Sequence, residues 1–295
     1  MTTCVRCGRE VQDPGYAANL CPECRVAVAG GGGQPAAVVA QPPIAAMRRV
    51  PYRPPFTVAI VGINVLVFAL MVLSGVPLVT PNVPQIVRWG ANFGPLSLGA
   101  QWWRILTSNY VHIGIIHLAV NMWSLWQVGR LAERIFGGWP YLLAYTATGI
   151  AGSLASLLWR PVGVSAGASG AIFGMVGALI GALYLGHLPL PKPAQQSLLK
   201  NLVVVAAVNL IYGAQASNID NSAHIGGLIM GLAIGALLGP QLMQPREQRQ
   251  AHERFVFLGV VLFLIGFGVV VKHERGPIVD EFRRQAPAAQ QPDAP

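Results

Sequence analysis

The sequence predicts an all-α polytopic membrane protein, and two observations carry that prediction. Hydrophobic residues make up 53% of the 295-residue chain and charged residues only 11%, against roughly 25% charged in an average soluble domain. Between Glu23 and Glu247 only two acidic residues occur, Glu133 and Asp220, too few to solvate the surface of a domain that long. The net charge of +9 raises the question of nucleic acid. The basic residues, however, sit between apolar runs rather than on one polar segment, so lipid topology accounts for them and no nucleic-acid partner is expected.

A transmembrane helix needs about 20 mainly apolar residues. Seven runs meet or approach that length, at about 56–73, 109–128, 141–159, 168–186, 199–216, 222–238 and 255–271. The sixth is short and rich in glycine, so its limits are soft. Between the first and second runs lie roughly 35 residues with Pro77, Pro81, Pro84 and Pro95, read as a partly embedded loop. Its Trp89, Trp102 and Trp103 suit the membrane interface. Ahead of the runs, residues 1–25 form a Cys-rich module and residues 26–55 a linker rich in Gly, Ala, Pro and Gln, with too little patterned apolar surface to fold. No secretory signal peptide is expected at the start, and the tail 285–295 reads as disordered. All four cysteines lie in the N-terminal module, so disulfides cannot staple the membrane region.

Lys and Arg set the expected orientation. With a cytoplasmic N-terminus, the inner flanks carry ten basic residues: Arg48, Arg49, Arg53, Arg130, Arg134, Lys192, Lys200, Arg246, Arg249 and Arg254. The outer loops before the seventh run carry three, Arg88, Arg104 and Arg160. Lys272, Arg275, Arg283 and Arg284 then fall outside, diluted by Glu274, Asp280 and Glu281. The C-terminus is expected on the outer side of a bacterial plasma membrane.

Polar residues inside apolar runs are costly and therefore informative. On the second run, His117 and Asn121 lie one helical turn apart on one face, whereas His112 is expected to point about 140° away from His117. The plain alternative is that His117 and Asn121 only hydrogen-bond between helices, and His112 is read as structural. The fourth run opens with Gly167-Ala168-Ser169-Gly170 and continues through Gly174, Gly177 and Gly181. A Ser there is commonly a cap and such glycines are commonly packing. A helix start also offers free N–H groups and a positive dipole end, which suit a developing oxyanion. On the sixth run, Gly227, Gly231 and Gly235 lie within about 60° of His224. The face bearing His224 is thus the one able to approach a neighbouring backbone, which makes a buried structural His a candidate base. With the N-terminus inside, His117, Asn121, Ser169 and His224 all fall near the outer ends of their helices.

Other protease chemistries fit poorly. There is no His-Glu-x-x-His pair for zinc, and Asp220 and Glu133 fall at opposite faces, so they form no aspartic dyad. Asp220 lies one turn before His224, but at the loop mouth it is expected to be well hydrated, which favours a two-residue pair over a triad.

Trp103-Arg104, His112-x4-His117-x3-Asn121, Gly129-x3-Glu133-x3-Gly137, Gly167-Ala168-Ser169-Gly170 and Ala223-His224-x2-Gly227-x3-Gly231 occur in an order that resembles rhomboid intramembrane serine proteases, over roughly residues 56–238. The resemblance implies a six-helix core followed by a seventh helix. It implies Ser169 as nucleophile and His224 as general base. His117, Asn121 and the Ser169 N–H would form an oxyanion hole, with Gly167 shaping the loop beside it. Trp103 and Arg104 would be structural residues of the first loop, and Glu133 would steady the cytoplasmic end of the second helix. Phe173, where some members carry Tyr, could stack on His224 without a hydroxyl. Transmembrane proteins would be the substrates, the bilayer the setting, and no cofactor would serve catalysis. The alternative is a transporter or an inactive membrane-protein binder using the same polar residues as a pathway. No feature of the sequence specifies an oligomeric state.

Cys4-x2-Cys7 and Cys21-x2-Cys24 can supply four thiolates to one tetrahedral Zn²⁺, and a module this short has no core without metal. Two disulfides would need an oxidising compartment, which the expected cytoplasmic placement argues against. The pattern looks like a zinc-ribbon fragment with a structural metal and no open coordination position.

Overall fold

A computed structural model describes residues 2–3, 10–11 and 53–285, except 187, 189, 217 and 218. The chain divides into two compact units, Met1–Tyr52 and Arg53–Pro295. In the first, β1 (Thr2–Thr3) pairs antiparallel with β2 (Glu10–Val11). Cys4, Cys7, Cys21 and Cys24, the linker over 26–52 and the tail from 286 lie outside the described residues.

The second unit is helical. Its long helices are α1 (Pro55–Leu73), α2 (Ile115–Phe136), α3 (Gly138–Trp159), α4 (Ser169–Leu185), α5 (Lys192–Gln215), α6 (Asn221–Leu238) and α7 (Arg246–Gln285). Five of them, α1, α3, α5, α6 and α7, are long and apolar enough to cross a membrane by length and composition. Helix α4 is apolar but has 17 residues, or about 25 Å at 1.5 Å per residue, against a hydrocarbon core of about 30 Å. Helix α2 is long enough but carries His117, Asn121, Gln127, Arg130, Glu133 and Arg134, which lower its hydropathy. Large apolar side chains such as Leu66, Ile116, Val208, Phe255 and Leu262 point outward and are more than half exposed. Only a lipid surround makes so much exposed apolar surface stable. The chain is an integral multi-pass membrane protein.

The starts of α2 and α5 and both ends of α7 differ most from expectation. The second run does not begin its helix at 109. Residues Ser108–Tyr110 form a 3₁₀ turn, and α2 starts only after Gly114, whose φ of 85° suits glycine. A side chain there would overlap the Val79 carbonyl, and the Ile115 N–H donates to the Leu78 carbonyl at 2.8 Å. The seventh run lengthens to the 40 residues of α7, about 60 Å, because polar turns extend its apolar centre at both ends.

Glycine sets the core. Helices α4 and α6 meet backbone to backbone. A Cβ on Gly227, Gly231 or Gly235 would overlap the carbonyl of Gly170, Gly174 or Ala178 respectively. From the other side, Gly177 and Gly181 face the carbonyls of Leu228 and Leu232. Such approach maximises dispersion where lipid supplies no hydrophobic drive. In the long connection between α1 and α2, Asn92–Phe93 (β3) pairs antiparallel with Val164–Ser165 (β4), with Asn92 opposite Ser165 and Phe93 opposite Val164. That ladder ties the first loop to the segment just before α4.

Candidate active site

Three helices present the candidate residues from their N-terminal ends: His117 is the third residue of α2, Ser169 the first of α4 and His224 the fourth of α6. Ser169 is not a cap. The N-cap position is Ala168 and no side chain caps the helix. Instead the Ser169 Oγ lies 2.8 Å from the Nε2 of His224, a distance at which the hydroxyl donates to a neutral imidazole. The glycine faces of α4 and α6 make this distance possible, since Gly227 sits on the Gly170 carbonyl one residue beyond Ser169.

His224 is 8% exposed, and its ring is held flat. Phe173, one turn along α4, stacks on it with centroids 4.3 Å apart and planes 9° apart. The His224 Nδ1 has no hydrogen-bond partner among the described residues. Asp220 does not serve it, though not through the full hydration expected of it. Asp220 is half-buried and caps α6, accepting from the Ala223 N–H at 3.3 Å and from the hydroxyls of Ser222 and Ser156, each at 2.5 Å. Burial alone would raise its carboxyl. Bonds from Ser156, Ser165, Ser222 and the Ala223 N–H outweigh that and hold it below its usual range. Among the described residues, the His224 ring hydrogen-bonds to Ser169 and to no carboxylate.

A third side chain closes on the loop that precedes Ser169. Gly167 has φ 124°, and a Cβ there would lie 2.6 Å from the Cε1 and 2.9 Å from the Nε2 of His117. The His117 Nδ1 accepts from the Ile113 N–H at 3.2 Å, which assigns the ring proton to Nε2. That N–H edge faces the Gly167 backbone, two residues before Ser169. Asn121 is 4% exposed, and its Nδ2 donates to the His117 carbonyl at 2.9 Å. One Nδ2 hydrogen is left for another acceptor. The N–H groups of the first turn of α4 are likewise free of intrahelical acceptors.

His112 is the clearest correction. It is off the helix, in the link before Gly114, so the expected 140° separation does not apply. Its ring lies 5.3 Å from that of His117, and it is fully buried. Its Nδ1 is 3.4 Å from the Tyr110 carbonyl. Burial, then the neighbouring His117, push its pKa down to about 3 against a small opposing pull from Tyr110. It is a neutral ring backing His117.

The remaining predicted residues hold the frame. Arg104 is 5% exposed, stacks over Trp103 at 4.8 Å, and donates to Gln101 Oε1 and to the carbonyls of Val87 and Ala91. One cation thus gathers the turns of the first loop. Glu133 is fully buried, and its carboxylate accepts from the N–H groups of Phe56 and Thr57, at 3.1 and 2.8 Å, and from the Thr57 hydroxyl at 2.6 Å. It caps α1 from α2, complementing the positive end of that helix. Sequence reading missed Ser108, whose carbonyl accepts from the Gly167 N–H at 2.9 Å, because no local pattern marks a carbonyl that acts over 59 residues. Among the described residues, no cluster of three or more His, Cys, Asp or Glu is placed to hold a metal.

This arrangement has relatives. Residues 99–241 match the family model described as "Rhomboid domain". The chain is 43% identical over 187 residues to rhomboid protease GluP of Bacillus subtilis, covering 63% of this chain and 35% of that protein. It is 35% identical over 181 residues to RHOMBOID-like protein 6, mitochondrial, of Arabidopsis thaliana, covering 61% of this chain and 57% of that one. To rhomboid protease AarA of Providencia stuartii it is 32% identical over 213 residues, covering 64% of this chain and 74% of AarA. The chain thus spans about a third of the first relative, somewhat over half of the second and about three quarters of the third. The domain match encloses His112, His117, Asn121, Ser169 and His224, and with 74% of AarA covered at 32% identity the chain belongs to the rhomboid family.

Proposed function

We propose that this chain is an intramembrane serine endopeptidase that cuts proteins in or near their transmembrane segments. The observation that carries the reading is the 2.8 Å contact between the Ser169 hydroxyl and the His224 imidazole, buried among helices and beside free helix-terminal N–H groups. Two of the relatives above are named as rhomboid proteases, which supports the same chemistry.

The mechanism follows from the pair. Ser169 Oγ attacks the scissile carbonyl carbon while its proton passes to His224 Nε2. The carbonyl oxygen becomes an oxyanion, held by His117 Nε2–H, the Asn121 amide and first-turn N–H groups of α4, with Gly167 leaving room beside it. Collapse breaks the C–N bond, and His224 returns the proton to the leaving amine. Water, deprotonated by His224, then attacks the acyl-enzyme; the C–O bond to Ser169 breaks, the carboxylate leaves, and His224 returns the proton to Ser169 Oγ. Phe173 keeps the imidazole plane fixed through both transfers. Trp103, Arg104, His112 and Glu133 act as structural supports. No cofactor takes part.

The basic-residue asymmetry supports a cytoplasmic N-terminus, an outer C-terminus and seven crossings of a bacterial plasma membrane. Residues 56–238 form the six-helix core and 239–284 the following loop, seventh helix and outer flank. Residues 1–25 bind a structural Zn²⁺ through Cys4, Cys7, Cys21 and Cys24, joined by the linker over 26–55. The antiparallel pairing of Thr2–Thr3 with Glu10–Val11 brackets the first Cys pair, in keeping with a compact metal module. Deleting residues 1–45 should remove one zinc per chain, read by metal analysis, while proteolysis persists.

The function is tested with purified protein in liposomes and a co-reconstituted single-pass substrate. Wild type should release two fragments and Ser169→Ala none, at equal folded content. Cleavage that survives Ser169→Ala would sink the reading.

A further inference from the structure

Helix α7 runs well past its apolar centre. Its apolar centre ends near Val271, and the residues from Lys272 to Gln285 project roughly 21 Å beyond it at 1.5 Å per residue. This projection does not stand free. Val271 is fully buried with Leu154 and Leu157 of α3, packed by Leu98 and Ile105 of the first loop. Farther out, Val279 is 1% exposed, and its Cγ2 lies 3.2 Å from where a Cβ on Gly94 would be. The Phe282 ring meets Phe93 edge-on, with centroids 6.2 Å apart. Arg283 donates to the Pro95 carbonyl, and Gly99 leaves room for its guanidinium.

The segment it grips is weak by itself. Gly94–Ser97 is a single helical turn, too short to hold without packing. The β3–β4 ladder has two residues per strand, and an isolated pair of that size is not stable in water. Yet this ladder precedes the nucleophile loop directly: Val164 and Ser165 pair with Phe93 and Asn92, then Ala166, Gly167 and Ala168 lead into Ser169. Gly94 also abuts the Pro161 carbonyl, so the gripped turn touches the same connection twice. Two other ties hold the loop from the core side: Gly167 N–H to the Ser108 carbonyl at 2.9 Å, and Asn92 Nδ2 to the Ser153 carbonyl at 2.9 Å.

We infer that the projecting end of α7 is a strut that positions the nucleophile loop, with Val279, Phe282 and Arg283 as positioning residues acting through Phe93, Gly94 and the β3–β4 ladder. The inference rests on Ser169 being the nucleophile proposed above. None of the three residues touches Ser169 or His224. Their effect is on the fraction of time that the loop over 166–168 holds the attack geometry. Because the two core-side ties remain, losing the strut slows the reaction without abolishing it.

The test uses the full chain in detergent, comparing wild type with the double variant Phe282→Ala and Arg283→Ala, and with Phe282→Tyr. Val271 keeps α7 anchored in each, and thermal midpoints check folding. Amide hydrogen exchange is read over 92–97 and 163–168, and the second-order rate of fluorophosphonate labelling is read at Ser169. In the double variant, exchange should quicken about threefold or more in both segments, and labelling should slow about tenfold. Phe282→Tyr, which keeps the edge-on ring, should behave as wild type. Labelling at the wild-type rate in the double variant, or faster exchange confined to 92–97, would overturn the strut and leave Ser169 as nucleophile. Failure of wild type itself to label would overturn both.

Discussion

The two faces of α6 are built to opposite plans. Toward α4 it presents Gly227, Gly231 and Gly235, which press on three successive turns of that helix's backbone. Toward α7 it presents Ile225, Ile229 and Ala233, which line an open apolar cleft of about 1120 Å³ shared with Phe255, Gly259 and Phe263. One face has no room for a methyl group; the other has room for several side chains. The difference tracks the chemistry, because His224 is carried with the locked face. A catalytic pair that must stay within hydrogen-bond distance needs two helices that cannot slide, whereas the cleft face makes no comparable demand.

Substitution on the locked face should break this contrast most severely. In Gly231→Val the new side chain meets the Gly174 carbonyl, which cannot yield without separating the helices. Overpacking costs about 1–3 kcal/mol where side chains can give and more where backbone must. Loss of proteolysis and a lowered thermal midpoint are expected together.

Next come His117 and Asn121, proposed to hold the oxyanion, which probe the chemistry rather than the lock. His117→Ala and Asn121→Ala should each lower turnover by about 10²–10³ with the fold intact, measured as kcat on a transmembrane substrate. Wild-type turnover in both would leave them as interhelical bonds only.

A smaller effect concerns His112, behind His117. Its pKa is depressed in the fold to about 3, from an ordinary value of 6.5. Between those values the unfolded chain binds a proton that the folded chain refuses, so stability falls as pH drops from 6.5. His112→Gln should flatten the decline of the thermal midpoint between pH 6.5 and 4. An unchanged slope would assign the decline to other groups.

Smallest of all is Ala233→Leu, on the cleft face. Ala233 is exposed and lines the open space, so the change should stay within about 0.5 kcal/mol and leave activity intact. If Ala233→Leu harmed the protein as much as Gly231→Val, the two faces of α6 would not differ as described.

How far the sequence reveals this arrangement depends on whether a residue's meaning is local. Ser169, His224 and the glycine faces are legible because polar atoms and missing side chains are costly inside apolar runs, and helical periodicity says which of them share a face. His112 is read as structural, but its direction is misjudged because the start of α2 is set by Gly114 fitting against the Val79 carbonyl, a tertiary contact that no periodicity records. The length of α7 is hidden for a related reason. Its outer turns are polar and resemble a tail until Val279 and Phe282 are seen seated on the first loop. The β3–β4 ladder, two residues on each side, leaves no pattern in the sequence. What sequence reveals is the placement of chemistry on helices; what it conceals is the loop scaffold that aims it.

Activation of Ser169 by His224 leaves a covalent signature. Purified protein is treated with a fluorophosphonate and the modified peptide located by mass spectrometry. Phosphonylation is expected at Ser169, with labelling slower by about 10² or more in His224→Ala, the contribution of a positioned general base. Labelling of another serine, or an undiminished rate at Ser169 without His224, would contradict it.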